Sequence, residues 1–492
     1  MTNSVDTANA FHLKAKASVH PTIIQGGMGV AVSGWQLARA VSSLGQLGVV
    51  SGTALDAVLV RRLQDGDAGG HIRRALEQFP FRPAVEAVLQ KYFRTEGRRL
   101  EQAYKNAPMH TGLGNRNSRA LIALSSFVEV FLAKEGHDGL VGINLLTKIQ
   151  THTLATLFGA MLAGVEYVLM GAGIPKDIPA VLDRFANGQE ASIKLEVTGW
   201  NNSSESPWLK FDPAEFELGH HKLERPKFLP IIASNLLATV MARKANGSIE
   251  GFVVEGPTAG GHNAPPRGAP IFDQLGQPVY GEKDHVNLEQ LSDLGLPFWL
   301  AGGMGSPQAL QSALSGGAAG IQVGTLFAYC QESGLLAEHK AIVLEQVRAE
   351  HANVLTDALA SPTGFPFKVV NLPESLADDA VYQARERICD LGYLREAYQK
   401  TDGGIGFRCA AEPVETYIAK GGKLEETLGR KCLCNALTSD VGLGQIRHGS
   451  LEPALVTSGD DLVMLGDFLA QDTSGYTAKG VIDYLLAGPE CC

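Results

Sequence analysis

Short apolar runs recur along this chain, and several of them lead into glycine-rich turns. Eight predict strands: Thr22–Gln25, Leu47–Val50, Leu140–Asn144, Glu166–Met170, Phe228–Ala233, Gly251–Glu255, Pro297–Ala301 and Gly320–Val323. Most lack the polar alternation of a half-exposed strand, as expected where both faces are buried. Helical spacing follows several of them, over Trp35–Leu44, Leu236–Ala245 and Pro307–Leu314. Ser306-Pro307 pairs a cap residue with proline at the first helical position. Eight strands alternating with helices predict an α/β fold, a (β/α)8 TIM barrel.

Three stretches depart from that rhythm. Residues 52–137 are too long for one strand–helix unit. Their helical spacing (Val58–Leu63, Ile72–Phe79, Val85–Tyr92, Ser118–Lys134) predicts a helical insertion over the barrel mouth. Within 191–227, Ser192–Thr198 and Trp208–Phe211 predict an extra strand pair joined by an Asn201–Ser206 turn. Beyond Val370 charged helical spacing takes over. The expected organisation is the barrel start in 1–51, the insertion in 52–137, the remaining barrel in 138–370 and a C-terminal helical region in 371–492.

The chain has 492 residues and a net charge of −10. That balance argues against a nucleic-acid partner, which calls for a basic face. No apolar run reaches the roughly 18 residues of a membrane span. Leu157–Ile174 comes nearest and contains Glu166. Met1–His20 lacks a signal-peptide pattern. Seven cysteines without framework spacing fit a cytoplasmic location. In that setting the glycosylation sequons at Asn201 and Asn202 are chance matches.

The 56 glycines change the picture, because many fall at strand ends. Val253-Val254-Glu255-Gly256-Pro257-Thr258-Ala259-Gly260-Gly261-His262 is a strand, a glycine turn and one histidine. Phe298–Gly305 and Gly320–Thr325 repeat the strand and turn. Backbone N–H groups from Gly302-Gly303 and Gly324, with the Thr325 hydroxyl, can enclose a phosphate at the loops where barrels usually do so. Ile23-Ile24-Gln25-Gly26-Gly27-Met28-Gly29 permits close approach of a flat ring, or is simply a tight turn. Asn144 can pair with a flavin edge, or form a turn. No Walker or dinucleotide fingerprint is present.

His262 is the one histidine in a barrel-rim setting, which favours a role as base, acid or anion holder. The pair His220-His221 suits a solvated loop. Cys409, Cys432 and Cys434 lack the usual metal-ligand spacing, so no metal is expected and buried thiols are the reading. Cys491-Cys492 is a terminal pair. Hydrolase nucleophile motifs are missing.

Ile24-Gln25-Gly26-Gly27-Met28, Gly142-Ile143-Asn144-Leu145, Glu255–His262, Ala301–Met304, Gln322-Val323-Gly324-Thr325 and Ser361-Pro362-Thr363-Gly364 together resemble the nitronate monooxygenases, formerly called 2-nitropropane dioxygenases. The resemblance spans about residues 20–370. It implies an FMN barrel, with Gln25, Gly26, Met28 and Asn144 at the isoalloxazine. Gly260, Gly261 and Gln322 fall in the same cofactor-binding motifs. Gly302, Gly303, Gly324 and Thr325 would hold the phosphate, and His262 would be catalytic at the ring face.

The insertion, Phe327–Leu335 and Gly429–Asn435 are similar to the longer PfaD-type flavin enoyl reductases. Three functions follow as expectations. The first is oxidation of a small nitronate or nitroalkane with O₂. The second is NADPH-dependent reduction of a carrier-bound enoyl chain, with an acyl carrier protein as partner. The third is a non-catalytic FMN-binding subunit. A small-molecule substrate and a homodimer are also expected.

Overall fold

The computed structural model describes residues 20–111, 116–201, 206–216, 223–469 and 475–488. The Asn202 sequon, most of the Asn201–Ser206 turn, His220-His221, the first nineteen residues and Cys491-Cys492 lie outside that set.

Eight parallel strands form the centre, each on one of the predicted apolar runs. They are β1 (Ile23–Gln25), β2 (Gly48–Ser51), β3 (Val141–Leu146), β4 (Tyr167–Gly171), β5 (Lys227–Ile232), β6 (Phe252–Glu255), β7 (Phe298–Ala301) and β8 (Gly320–Val323). Each pairs with its neighbour in sequence, and β8 pairs with β1. Ile24 bridges Leu47 in parallel, which joins β1 to β2 and closes the ring. Gln25 N–H donates to the Leu47 carbonyl at 3.0 Å across that seam. The protein is a (β/α)8 barrel.

The barrel interior is filled with side chains, as this architecture requires. Ile24, Val49, Tyr167, Leu169, Leu229, Val253 and Trp299 pack there as one cluster, with almost no surface exposed. The large Trp299 side chain needs a partner for its N–H, and it donates to the Pro21 carbonyl at 2.7 Å.

Helices Trp35–Ser43, Gln150–Leu162, Ile178–Ala186, Asn235–Lys244 and Pro307–Ser315 follow strands. Ser306 caps the last, accepting from Ala309 N–H at 3.1 Å, and Ser234 caps Asn235–Lys244 through Leu237 N–H at 3.0 Å.

The insertion holds helices Leu55–Gln64, His71–Gln78, Arg82–Tyr92 and Arg116–Lys134. It differs from the expected cover over the mouth in one respect. Arg116–Lys134 packs between Trp35–Ser43 and Gln150–Leu162, taking the place of a barrel helix in the outer ring. Its long buried face, from Ala120 to Ala133, explains why. Arg61, fully buried, ties the insertion to the C-terminal region through the Leu443 carbonyl at 2.5 Å.

Two expectations need correction. Ala191–Lys194 pairs antiparallel with Trp208–Phe211, but Val197–Thr198 leaves that pair and joins Glu396–Gln399. The C-terminal region is not purely helical. Glu396–Gln399 and Ile405–Arg408 form a hairpin, and Ile446–Arg447 pairs with Ser450–Leu451. Its helices are short, and its core is shared with the barrel: Val456, Leu462, Leu465 and Val481 belong to the main hydrophobic cluster.

Cys409 and Cys432 are buried, and Cys389 and Cys434 pack against them. Among the described residues no group of three or more His, Cys, Asp or Glu could hold a metal ion. No helix among them is long and apolar enough to cross a membrane.

Candidate active site

A cavity of about 220 Å³ opens at the C-terminal end of the strands. Its wall draws on the ends of β1, β3, β4, β6, β7 and β8 and on residues 437–461. Gly26, Met28, Asn144, Gly260, Gly261, His262, Gly302, Gln322, Gly324 and Thr325 all face it. Gln25 and Gly303 do not.

Gln25 is fully buried behind the wall. Its Oε1 accepts from Val49 N–H at 3.0 Å, and its Nε2 donates to Ser33 Oγ at 2.8 Å and to the Gly26 carbonyl. Ser33 Oγ in turn accepts from Met28 N–H at 2.8 Å. An amide with all these partners shapes the Gly26–Ser33 loop, and its side chain lies behind the cavity wall. Gly303 has φ +69° and stands back from the cavity.

Gly260 serves a purpose the sequence did not show. A Cβ there would lie 2.8 Å from the Ser458 carbonyl carbon and 2.9 Å from Gly459 N. The missing side chain lets the C-terminal segment lie directly on the β6 loop. Gly261 N–H donates to Thr457 Oγ1 at 2.9 Å, and Asp460 N–H to the Thr258 carbonyl at 2.9 Å.

His262 is held from the same side. Its Nε2 pairs with Ser361 Oγ at 2.7 Å, and Phe367 packs edge-on with ring centroids 4.8 Å apart. Burial lowers its pKa to about 4, so the imidazole is neutral near pH 7. A neutral ring can take a proton or donate one N–H bond.

Three carboxyl groups share the wall. Glu255, at the end of β6, has its pKa raised by burial to about 8. Asp440 is raised to about 8 for the same reason, although its carboxylate accepts from Leu455 N–H at 3.0 Å. Asp461 is also raised, chiefly by burial. Among the described residues no lysine or arginine lines the cavity.

Polar atoms without partners mark what the cavity could hold. Asn144 Oδ1 and Gln322 Oε1 are buried and unpaired, and both residues line it. Asn144 is fixed by its Nδ2 donating to the Gly27 carbonyl at 3.0 Å, which leaves Oδ1 to accept. Two orphaned acceptors beside glycine-lined walls suit a flat heteroaromatic ring with N–H groups on its edge. The residues present therefore fit a flavin.

Residues 216–359 match the family model described as nitronate monooxygenase. The matched segment is less than a third of the chain, and the family is one of oxidoreductases. A search of curated proteins finds no sequence match.

Among solved structures, the chain is similar to FabK from Thermotoga maritima at 16% identity and a TM-score of 0.45, covering 95% of this chain and 91% of that one. An enoyl reductase domain of MlnA, from the macrolactin biosynthesis cluster of Bacillus amyloliquefaciens, aligns at 11% identity and a TM-score of 0.47, over 94% and 92% of the two chains. A nitroalkane oxidase from Streptomyces ansochromogenes aligns at 16% identity and a TM-score of 0.38, over 87% and 95%.

The nitronate monooxygenase segment contains Glu255, His262, Gly302, Gln322, Gly324 and Thr325. It does not contain Ser361, Asp440, Ser458 or Asp461. Glu255 was visible within its motif, but only the closed barrel shows its carboxyl facing the cavity. The C-terminal residues carried no local signal, since their role comes from where the chain returns.

Proposed function

We propose that the protein is an FMN-dependent reductase of an activated carbon–carbon double bond. The charge of the cavity wall carries this reading: three carboxyl groups, a neutral imidazole and, among the described residues, no cationic side chain. A nitronate anion would find no positive charge there. A neutral enoyl substrate needs none, but it does need a proton.

FMN, when bound, supplies hydride transfer. Asn144 Oδ1 and Gln322 Oε1 would accept from its ring, and Gly302, Gly324 and Thr325 would hold its phosphate. Reduction of a double bond also adds a proton to the second carbon. Glu255 holds one at neutral pH and faces the cavity, so we assign it as the acid. His262, steadied by Ser361, orients the substrate through one hydrogen bond. The C-terminal segment over the β6 loop limits water access.

The second reading is oxidation of a nitroalkane with O₂. The match over residues 216–359 favours it, and the neutral His262 could take a proton from an uncharged nitroalkane. One anaerobic experiment separates the two. Flavin-loaded protein is mixed with NADPH, then with a crotonyl thioester, and the visible flavin band is followed. Bleaching by NADPH and return of colour with the thioester support the reductase. Bleaching by a nitroalkane alone overturns it in favour of the oxidase.

A further inference from the structure

Thr325 is a natural phosphate contact, yet its hydroxyl already has a partner in this fold. It donates to Asp461 Oδ1 at 2.5 Å and accepts from Gly459 N–H at 3.1 Å. The other Asp461 oxygen lies against the β7 loop, where a Cβ on Gly305 would be 3.2 Å from it. A carboxyl from the C-terminal segment thus sits between the β7 and β8 loops, beside the donors a phosphate would use. Three residues of that segment, Ser458, Gly459 and Asp461, line the same cavity.

We propose that Asp461 sets the protein's preference for a phosphorylated over a dephosphorylated flavin. As a carboxylate it competes with phosphate for Thr325 and repels it. As a carboxylic acid it offers the phosphate an additional donor. The preference should therefore weaken as pH rises. This inference rests on the flavin reading above.

The groups that face Asp461 support this assignment. Burial is the largest influence on it and favours the protonated form, while the Thr325 hydrogen bond favours the charged form. Asp460 adds a like charge from the next residue. Lys368 is the nearby cation, but its Nζ is bound to both Asp460 oxygens at 2.6 Å and to Thr356 Oγ1 at 2.7 Å. Tyr329, which follows the Thr325–Ala328 helix, and Asp440 across the cavity complete the titratable surroundings. Among the described residues no cation is left to neutralise a phosphate and a carboxylate together.

The test is a fluorescence titration of apo-protein with FMN and with riboflavin, from about pH 5 to about pH 8. Comparing wild type with D461N at each pH cancels the phosphate's own titration. The expected result is that D461N binds FMN at least about tenfold tighter than wild type at the alkaline end. That advantage shrinks at the acid end, and riboflavin affinity is unchanged throughout. D461S gives the same pattern if D461N does not fold. An equal change for both flavins, or weaker FMN binding in the variants at every pH, overturns the assignment and makes Asp461 a brace for Thr325. If neither flavin binds any of the proteins, the flavin reading itself falls and this inference falls with it.

Discussion

His262 and Ser361 are 99 residues apart in the chain, and in the fold their side chains meet at 2.7 Å. The bond is extended by Ser361 Oγ to Thr363 Oγ1 at 2.8 Å. The imidazole is therefore aimed by a short relay of hydroxyls, which fixes its rotamer without giving it a charge. That differs from a histidine paired with a carboxylate, where the partner would favour the imidazolium.

His262→Ala should keep bound flavin and lower kcat/KM by about 10- to 100-fold, from a lost substrate hydrogen bond and the misplacement that follows. Ser361→Ala should cost less, roughly five- to tenfold, the worth of one hydrogen bond of about 1 kcal/mol. Steady-state kinetics with the visible spectrum of each variant checks both. Wild-type rates in His262→Ala would remove His262 from the mechanism.

Glu255 gives the pH dependence a sign. Its unfolded carboxyl titrates near 4.5 and its folded carboxyl at about 8. Between those values the folded state keeps a proton that the unfolded state has released, so stability falls as pH rises through the interval. Asp440 acts in the same direction, from 3.8 to about 8. Glu255→Gln should flatten part of this decline in thermal unfolding. In turnover the alkaline limb near pH 8 should vanish and the rate at neutral pH should fall, because an amide holds no transferable proton. A variant that kept the alkaline limb would place the acid elsewhere.

Asn144 and Gln322 allow binding and folding to be separated. Each has an oxygen buried without a partner in the protein alone. Such an atom costs about 1–3 kcal/mol until something donates to it. Gln322→Leu should leave the apo-protein as stable as wild type or more so, while weakening flavin binding about tenfold. Asn144→Ala should weaken binding similarly, and it also removes the bond to the Gly27 carbonyl that holds the β1 loop. Melting curves of apo- and flavin-loaded protein would show the two effects with opposite signs for Gln322→Leu.

The barrel was legible because its strands are buried on both faces, so unbroken apolar runs such as Gly251–Glu255 stand out from their surroundings. The strand-end position of His262 followed from the same pattern. The direction of the Gln25 side chain was not legible, because a motif gives a residue's position along the chain and not where its side chain points. Its neighbour Ser33 and the β2 backbone claim its amide. Val197–Thr198 was given to the wrong partner because two residues are too few to carry a periodic signal. Asp461 was out of reach for a different reason. Nothing near Ser458-Gly459-Asp460-Asp461 in the sequence points to the β8 loop more than 130 residues earlier, and only the tertiary contact with Thr325 does.

Gly302 and Gly324 look alike in sequence but should fail differently when replaced. Gly302 has φ +88°, and a Cβ there would lie 2.9 Å from Ala259 N and 3.0 Å from Thr258 Oγ1. Gly302→Val should therefore destabilise the fold itself, by about 1–3 kcal/mol from backbone strain with further cost from the collision. Gly324 has φ −107°, which any residue tolerates, and its nearest neighbour across space is Met28 Sδ at 3.7 Å. Gly324→Leu should fold with a near-normal melting temperature and yield colourless protein, because the added side chain fills space left for the ligand. Gly303→Ala, off the cavity at φ +69°, should lose stability while keeping its colour. Purification of the three variants, with absorbance and melting temperature measured on each, tests the set. A yellow Gly324→Leu protein would remove the β8 loop from the cofactor site.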